Sequence, residues 1–303
     1  MSNNNIPHIP VLFNDVINTF KDINKGYIID CTTGYAGHSL GILQSNPNIK
    51  LICNDQDNYA LEFSKNRLKE YKNRVIFNKG NFRDLIRQFK DCNIKGILAD
   101  IGVSSLQLDN SDRGFGFNSE TLDMRMDQAQ SLSAKEVVNN YSQIELEKIL
   151  KEYGEVKEYK KVASLIVQNR PFYSAKELSL MLEKNMHKGK IHPATLPFQA
   201  IRIEVNHELD VLKELFNQIK EANFSDVTIA IISFHSLEDR IVKNYFKKWA
   251  QKCICPPHIM KCECGNNNAI GKVLTKKPIV ALKDEIKQNP RSRSAKMRIF
   301  HIE

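Results

Sequence analysis

The feature that most restricts the fold is an alternation within the first hundred residues. Short aliphatic runs at 27–30 (YIID), 51–54 (LICN), 75–77 (VIF) and 96–100 (GILAD) are separated by stretches of helical pattern. Strands buried on both faces read as continuous apolar runs, and parallel neighbours need a crossover, commonly a helix, between them. Ahead of the fourth run, Phe82, Leu85, Ile86 and Phe89 fall at i, i+3, i+4 and i+7, one apolar helical face. The pattern predicts an α/β chain with a doubly wound, mostly parallel sheet.

The pattern changes after Asp109. Three Ser-x-x-Glu capping boxes, Ser133/Glu136, Ser142/Glu145 and Ser174/Glu177, each open an amphipathic segment. Strand character resumes only at 227–234 (VTIAIISF), followed by a helix through Arg240, Val242 and Phe246. The expected organisation is an α/β domain over 1–109, an inserted all-helical domain over 110–210 and the second part of the α/β domain over 211–303. A chain of 303 residues is comfortable for two domains.

Charge is uneven. The net charge is +9, yet the last 64 residues, from Arg240 to Glu303, hold fifteen Lys or Arg against four Asp or Glu, which is +11. Such a basic stretch is the footprint expected against a phosphate backbone, with a solvated lysine-rich surface as the simpler alternative. No run approaches the roughly eighteen apolar residues of a membrane span, and the first residues lack a signal-peptide layout, so a cytoplasmic protein without a membrane partner is expected. Seven cysteines, an odd number, favour thiols or metal ligands over a disulfide framework. Four of them, Cys253, Cys255, Cys262 and Cys264, could satisfy a tetrahedral zinc. Ordinary knuckles use Cys-x-x-Cys and this chain has Cys-x-Cys twice, so zinc and a reduced, metal-free loop both stay open, and no metal is assigned.

The first strand runs into Asp30-Cys-Thr-Thr-Gly34-Tyr-Ala36-Gly37-His38, a turn of small residues at the sheet edge where open α/β folds bind ligands. A dinucleotide fingerprint would need glycine at 34, 36 and 39; the chain has Gly34, Ala36 and Ser39. A pyrophosphate cradle is disfavoured, while an amino-acid and ribose ligand fits. Asp55, 21 residues beyond Gly34, is placed to accept hydrogen bonds from a ribose diol. With Asp30 and Asp100 it would line one crevice, an environment suited to a cation such as a sulfonium. Three unrelated helix caps are the structural alternative.

Longer motifs carry a resemblance. The stretches HIPVL from His8, Asp30 to Ser39, GVSSLQLD from Gly102, RGFGF from Arg113 and LDMRMD from Leu122 resemble the RsmH (MraW) family of bacterial rRNA methyltransferases. So do HPAT from His192, FQAIRIEVN from Phe198, SFHSLEDR from Ser233 and NPRSRSAKMR from Asn289, in the same order. The resemblance covers nearly the whole chain. It implies a Rossmann-like class I methyltransferase sheet, S-adenosyl-L-methionine as cofactor, and methylation of the exocyclic N4 of one cytidine of 16S rRNA, at position 1402 in the standard rRNA count, in the decoding centre of the small ribosomal subunit. It further implies cofactor contacts from Ala36, Gly37 and His38 in the turn, Asp55 at the ribose, Phe82 beside the adenine, and Asp100 and Gln107 near the methionine moiety. Where the family usually has Gly, this chain has Cys31 and Ala36; where it usually has Pro, this chain has Leu106, in the loop that presents Gln107. Because positive φ is costly for alanine, Ala36 is expected at negative φ.

Methyl transfer is an in-line displacement, so the catalytic task is chiefly alignment, and Asp100 is the residue expected to orient the reacting groups. The target base must leave its stack, which gives the helical insertion the job of covering it and the basic tail that of gripping the strand, with 16S rRNA or the small subunit as partner. Arg113, Phe115 and Phe117 in a glycine-rich loop would supply charge and stacking, the two Phe residues otherwise serving as a hydrophobic loop anchor. His192, Arg202 and Asn206, read as lying on a mostly apolar helix, would line a substrate channel or satisfy buried polar partners. His235 and Ser236 directly follow the buried strand 227–234, so at least one of them would face substrate, with a helix N-cap as the alternative for Ser236; Arg291 and Arg293 are read as phosphate contacts. Two rival classes explain less. A nicotinamide oxidoreductase lacks its glycine triplet, and a non-catalytic RNA-binding protein leaves the carboxylate-lined turn without a purpose. The sequence leaves the oligomeric state open.

Overall fold

A computed structural model describes residues 10–303 apart from 105, 106, 109, 188, 190, 257 and 260. Leu106, Asp109 and the first two residues of the HIPVL motif therefore lie outside the described residues. The chain forms two compact units, Met1–Gly102 with Leu209–Glu303, and Val103–Glu208.

The first unit is built on a sheet in the order β3-β2-β1-β4-β5-β8-β6, with β7 also paired to β8. Its strands are β1 Gly26–Asp30, β2 Ile49–Asp55, β3 Val75–Lys79, β4 Ile94–Asp100, β5 Val227–Ser233, β6 Gly271–Val273, β7 Ile279–Val280 and β8 Lys296–Ile302. The first five pair in parallel, and β8 runs antiparallel to β5, β6 and β7. Successive side chains feed opposite faces, which is why the apolar runs have no polar gaps. Ile29, Ile52, Ile97, Ile229, Ile231 and Phe300 enter a core shared with Leu212, Phe216, Phe246 and Trp249. Ile28, Leu51, Leu98, Ala230, Ile232 and Met297 enter a second core with Val16, Phe20, Ile42 and Leu43. The strand order reverses between β1 and β4, leaving a crevice at their carboxyl ends.

Two features depart from the sequence pattern. The Phe82 to Phe89 face is split into a 3-10 turn, Phe82–Asp84, and one short helix, Leu85–Phe89. More consequentially, the basic C-terminal stretch does not end as a tail. Lys296–Ile302 is an interior strand, with Met297, Ile299, Phe300 and Ile302 buried. Its Arg298 is 7% exposed and is held at two points by Asp239, Nε to Oδ1 at 2.6 Å and Nη2 to Oδ2 at 3.1 Å. A basic residue can line a core strand once its charge is paired.

The second unit is helical among its described residues: Ala134–Asn140, Gln143–Glu152, Tyr159–Gln168, Ala175–Asn185 and Thr195–Asn206. All three predicted capping boxes form. Its separate core includes Phe115, Val137, Leu150, Ile166, Leu178 and Ile201. Among the described residues no helix is long and apolar enough to cross a membrane.

Candidate active site

Asp30, Asp55 and Asp100 close the neighbouring strands β1, β2 and β4, and the turn after β1 is assembled from all three strand ends. Asp55 receives the Gly34 N–H on Oδ2 at 2.8 Å and the Asp57 N–H on Oδ1 at 2.9 Å. Each of its oxygens keeps a second lone pair, so the carboxylate that fixes the turn can still accept from a diol. Asp100 donates its backbone N–H to Thr32 Oγ1 at 2.9 Å, tying β4 to the turn. Asp30 does not line the crevice with the other two as expected. It is 2% exposed and braces the turn from beneath, accepting from Ser39 Oγ at 2.6 Å and the Thr32 N–H at 3.3 Å.

Ala36 overturns its expectation. Its φ is 56°, in the left-handed region, as is that of Gly34 at 51°. The chain must enter the helix Gly37–Ser45 at once, and Gly37 itself is pinned, since a Cβ there would meet Pro10 Cγ at 2.3 Å. Alanine in this conformation costs roughly 1–2 kcal/mol. Its fully buried methyl, packed in the second core, returns about 0.8 kcal/mol. Cys31, where glycine is also expected, is likewise buried in a core.

The carboxylates are not equally acidic. Burial, then the nearby Asp30 and Glu238 charges, push Asp100 up to about 8. Its Oδ1 is buried without a hydrogen-bond partner, although the side chain as a whole is 20% exposed. Burial raises Asp30 and Asp55 to about 6, against the hydrogen bonds that favour their ionised forms. His38 lies 2.9 Å through Nε2 from the Val11 carbonyl, which can only accept, so Nε2 carries the proton. Its Nδ1 faces Asp100 Oδ2 at 3.9 Å. Phe82 is half-buried at the start of its 3-10 turn, packed against the first core. What the crevice offers is a set of carboxyls that gain from a positive partner.

A model of the MraW methylase family matches residues 5–303. The chain belongs to that family. It is 69% identical to "Ribosomal RNA small subunit methyltransferase H" of Aliarcobacter butzleri (strain RM4018), over 98% of this chain and 99% of the relative. The proteins of the same name from Sulfurimonas denitrificans (strain ATCC 33889 / DSM 1251) and Campylobacter fetus subsp. fetus (strain 82-40) are 57% and 54% identical, each over 98% of this chain and 98% of the relative.

Within the helical unit, the family motifs turn out to be largely internal. Arg113 is 7% exposed and donates from Nη2 to the carbonyls of Arg125 and Met126, both at 3.0 Å. Asn206 grips the same segment from the other side, accepting the Met126 N–H and donating to the Met124 carbonyl, both at 2.8 Å. Met124, between these bonds, has a φ of 58°. Arg202 is held by both oxygens of Glu208 at 2.8 and 2.9 Å. For Arg202 and Asn206 the buried-partner alternative is the one the contacts favour; Arg113, expected to supply charge to a substrate, is buried and bonded to backbone carbonyls. Phe115 is core, whereas Phe117 stacks on His192 at 4.6 Å. His192 lies ahead of the helix Thr195–Asn206 rather than on it, and accepts the Ala194 N–H on Nδ1 at 3.2 Å. Gln107 is buried, with its Oε1 accepting the Ser104 N–H at 3.0 Å.

In the α/β unit, Ser236 is the first residue of the helix Ser236–Trp249, and the N-cap is His235 instead. His235 forms a capping box with Glu238, whose Oε2 also accepts the Phe234 N–H at 2.8 Å. Arg291 and Arg293 are exposed on the 3-10 turn Pro290–Ser294. Sequence reasoning missed the residues that hold the turn: Asn54 bonds the Cys31 and Gly80 carbonyls at 2.9 and 3.0 Å, Ser64 the Gly34 carbonyl at 2.7 Å, and Arg67 the Tyr35 carbonyl at 2.7 Å. Only Asn54 leaves a signal, an amide at the end of an otherwise apolar strand.

Proposed function

We propose that this chain is an S-adenosyl-L-methionine-dependent methyltransferase that methylates the exocyclic N4 of one cytidine of 16S rRNA in the decoding centre. The observation that carries this reading is Asp100. A carboxyl raised to about 8 with a buried, unpartnered oxygen, at the switch point of a doubly wound sheet, fits a cationic ligand with donor groups. The names of the relatives support small-subunit rRNA as substrate, and the motif resemblance supports the N4 position.

The cofactor would be held by Ala36, Gly37 and His38 at the turn, Asp55 at the ribose and Phe82 at the adenine, and when bound it supplies an electrophilic methyl group on a sulfonium. The rest of the chemistry falls to the protein. A neighbouring positive charge favours ionised Asp100, which then becomes an acceptor for one N–H of the target amine. Holding that N–H favours the pyramidal, nucleophilic nitrogen over the one conjugated with the ring. No prior deprotonation is required, because the surplus proton leaves after the new C–N bond has formed. Arg291, Arg293 and the neighbouring basic surface would grip phosphates.

Calorimetry separates the classes. Heat with S-adenosylmethionine and none with NAD supports the methyltransferase; the reverse supports an oxidoreductase, and silence with both a binding protein. Mapping methylated cytidines in rRNA from a strain lacking the protein then tests the substrate, with loss of a single N4-methyl mark expected.

A further inference from the structure

Residues 251–270 connect the helix Ser236–Trp249 to β6, and among those described none is buried. The segment nevertheless forms a defined knuckle. Its base is tied by Asn268 N–H to the Lys252 carbonyl at 3.0 Å and Ile270 N–H to the Trp249 carbonyl at 2.9 Å. Asn268 Nδ2 adds bonds to the carbonyls of Lys252 and Cys264, both at 3.1 Å. A surface excursion without an apolar core needs some other staple.

The four cysteines meet at its centre. Sulfur separations are 3.6 Å for Cys253 to Cys262, 3.6 Å for Cys262 to Cys264 and 3.7 Å for Cys264 to Cys253, and all four sulfurs lie within 4.8 Å of one another. A disulfide would bring two of them to about 2.05 Å. Four thiolates around one zinc, each with a Zn–S bond of about 2.3 Å, stand about 3.8 Å apart in a regular tetrahedron. The spacings among Cys253, Cys262 and Cys264 match those of a tetrahedral ligand shell, and Cys255 Sγ lies within 4.8 Å of each.

The backbone supports the same assignment. The Ile254 N–H, inside the first Cys-x-Cys arm, donates to Cys264 Sγ in the second at 3.3 Å, and the Glu263 N–H returns the contact to Cys255 Sγ at 3.3 Å. Reciprocal N–H donors orient the sulfurs and favour their negative charge, as outer-shell groups do for metal ligands. The unusual spacing is no obstacle. In each arm the two cysteines meet at the cluster while the residue between them, Ile254 at 57% and Glu263, is exposed.

We infer that Cys253, Cys255, Cys262 and Cys264 form a closed structural zinc site that staples the basic surface knuckle between the helix Ser236–Trp249 and β6. With four protein ligands it has no open coordination position, so its role is to hold structure. Zinc tetrathiolate carries two negative charges, and the exposed Lys252 and Lys261 beside it offset them.

The full chain, purified under reductant without chelator from zinc-replete cells, should contain about one zinc per molecule by elemental analysis. The double variant Cys255→Ser/Cys262→Ser should lose it, while Cys92→Ser, outside the knuckle, should keep it. Since a cysteine variant can misfold for other reasons, cobalt exchange into the wild-type chain gives a second readout: the visible bands and sulfur-to-metal charge transfer of a tetrahedral tetrathiolate. Wild-type protein that holds iron instead, that takes up no zinc or cobalt under anaerobic reducing conditions, or whose zinc survives in the double variant would overturn the assignment.

Discussion

Asp100 is under two opposing pressures. The fold buries it beside Asp30 and Glu238, which keeps it protonated to about pH 8, while the proposed chemistry needs it charged. A sulfonium next to it would shift the balance toward the carboxylate, so cofactor affinity should rise as pH increases toward 8. The demethylated product, whose sulfur is a neutral thioether, should show a flatter dependence; equal slopes for the two by calorimetry would argue against Asp100 as the partner of the sulfonium. Asp100→Asn should lower turnover roughly 10²-fold while leaving the chain folded, if the carboxylate is the acceptor proposed to hold the target amine. A neighbouring residue tests the turn. Ala36→Gly relieves a left-handed alanine but gives up a buried methyl and adds chain entropy, so urea unfolding should move by less than about 1 kcal/mol. Ala36→Val places a branched side chain in the same conformation and should destabilise by more than about 2 kcal/mol. Gly34, Asp55 and Asp100 were legible because their chemistry repeats with strand ends. The φ of Ala36 was not, because alanine's local propensity disfavours the left-handed conformation that this helix entry adopts.

At the level of elements, strands and caps were readable and their partners were not. The runs 27–30, 51–54 and 96–100 declare buried strands because both faces of the sheet are covered. The Ser-x-x-Glu boxes declare three helix starts. The fourth box was hidden, since histidine at position 235 takes the place of the usual hydroxyl or carboxamide cap. β8 was hidden by Lys296 and Arg298, whose charges suggested solvent although Asp239 pairs with both. Arg202 and Asn206 suggested a substrate channel, and Arg113 a charge for the substrate, for the same reason: a motif of polar residues says that they are needed, not which way they point. Asn206 makes the case testable. Its hydrogen bonds hold the Met124 to Met126 segment against the end of its helix, so Asn206→Ala should cost roughly 2–3 kcal/mol of stability in denaturant unfolding. It should leave cofactor affinity intact. Full stability combined with loss of RNA methylation would instead make Asn206 a substrate contact.

For the whole molecule, the three strand-end carboxyls couple stability to pH. Asp30, Asp55 and Asp100 all have folded-state values raised above the usual 3.8, to about 6, 6 and 8. The folded chain therefore holds more protons on these groups than the unfolded chain. Their contribution is fully present below the ordinary carboxyl range and is lost as pH rises through their raised values. Melting temperatures of the cofactor-free protein should show a steeper fall between about pH 6 and 8 for the wild type than for Asp100→Asn; parallel curves would refute the raised value of Asp100. Bound S-adenosylmethionine should offset part of that loss. The central claim, that this charged crevice serves methyl transfer to an RNA base, is tested most directly by incubating small-subunit rRNA with the purified chain and S-adenosylmethionine carrying an isotopically labelled methyl group, then digesting to nucleosides for mass spectrometry. The label is expected in N4-methylcytidine. Label on the base carbon or the ribose, or none although the cofactor binds, would contradict it.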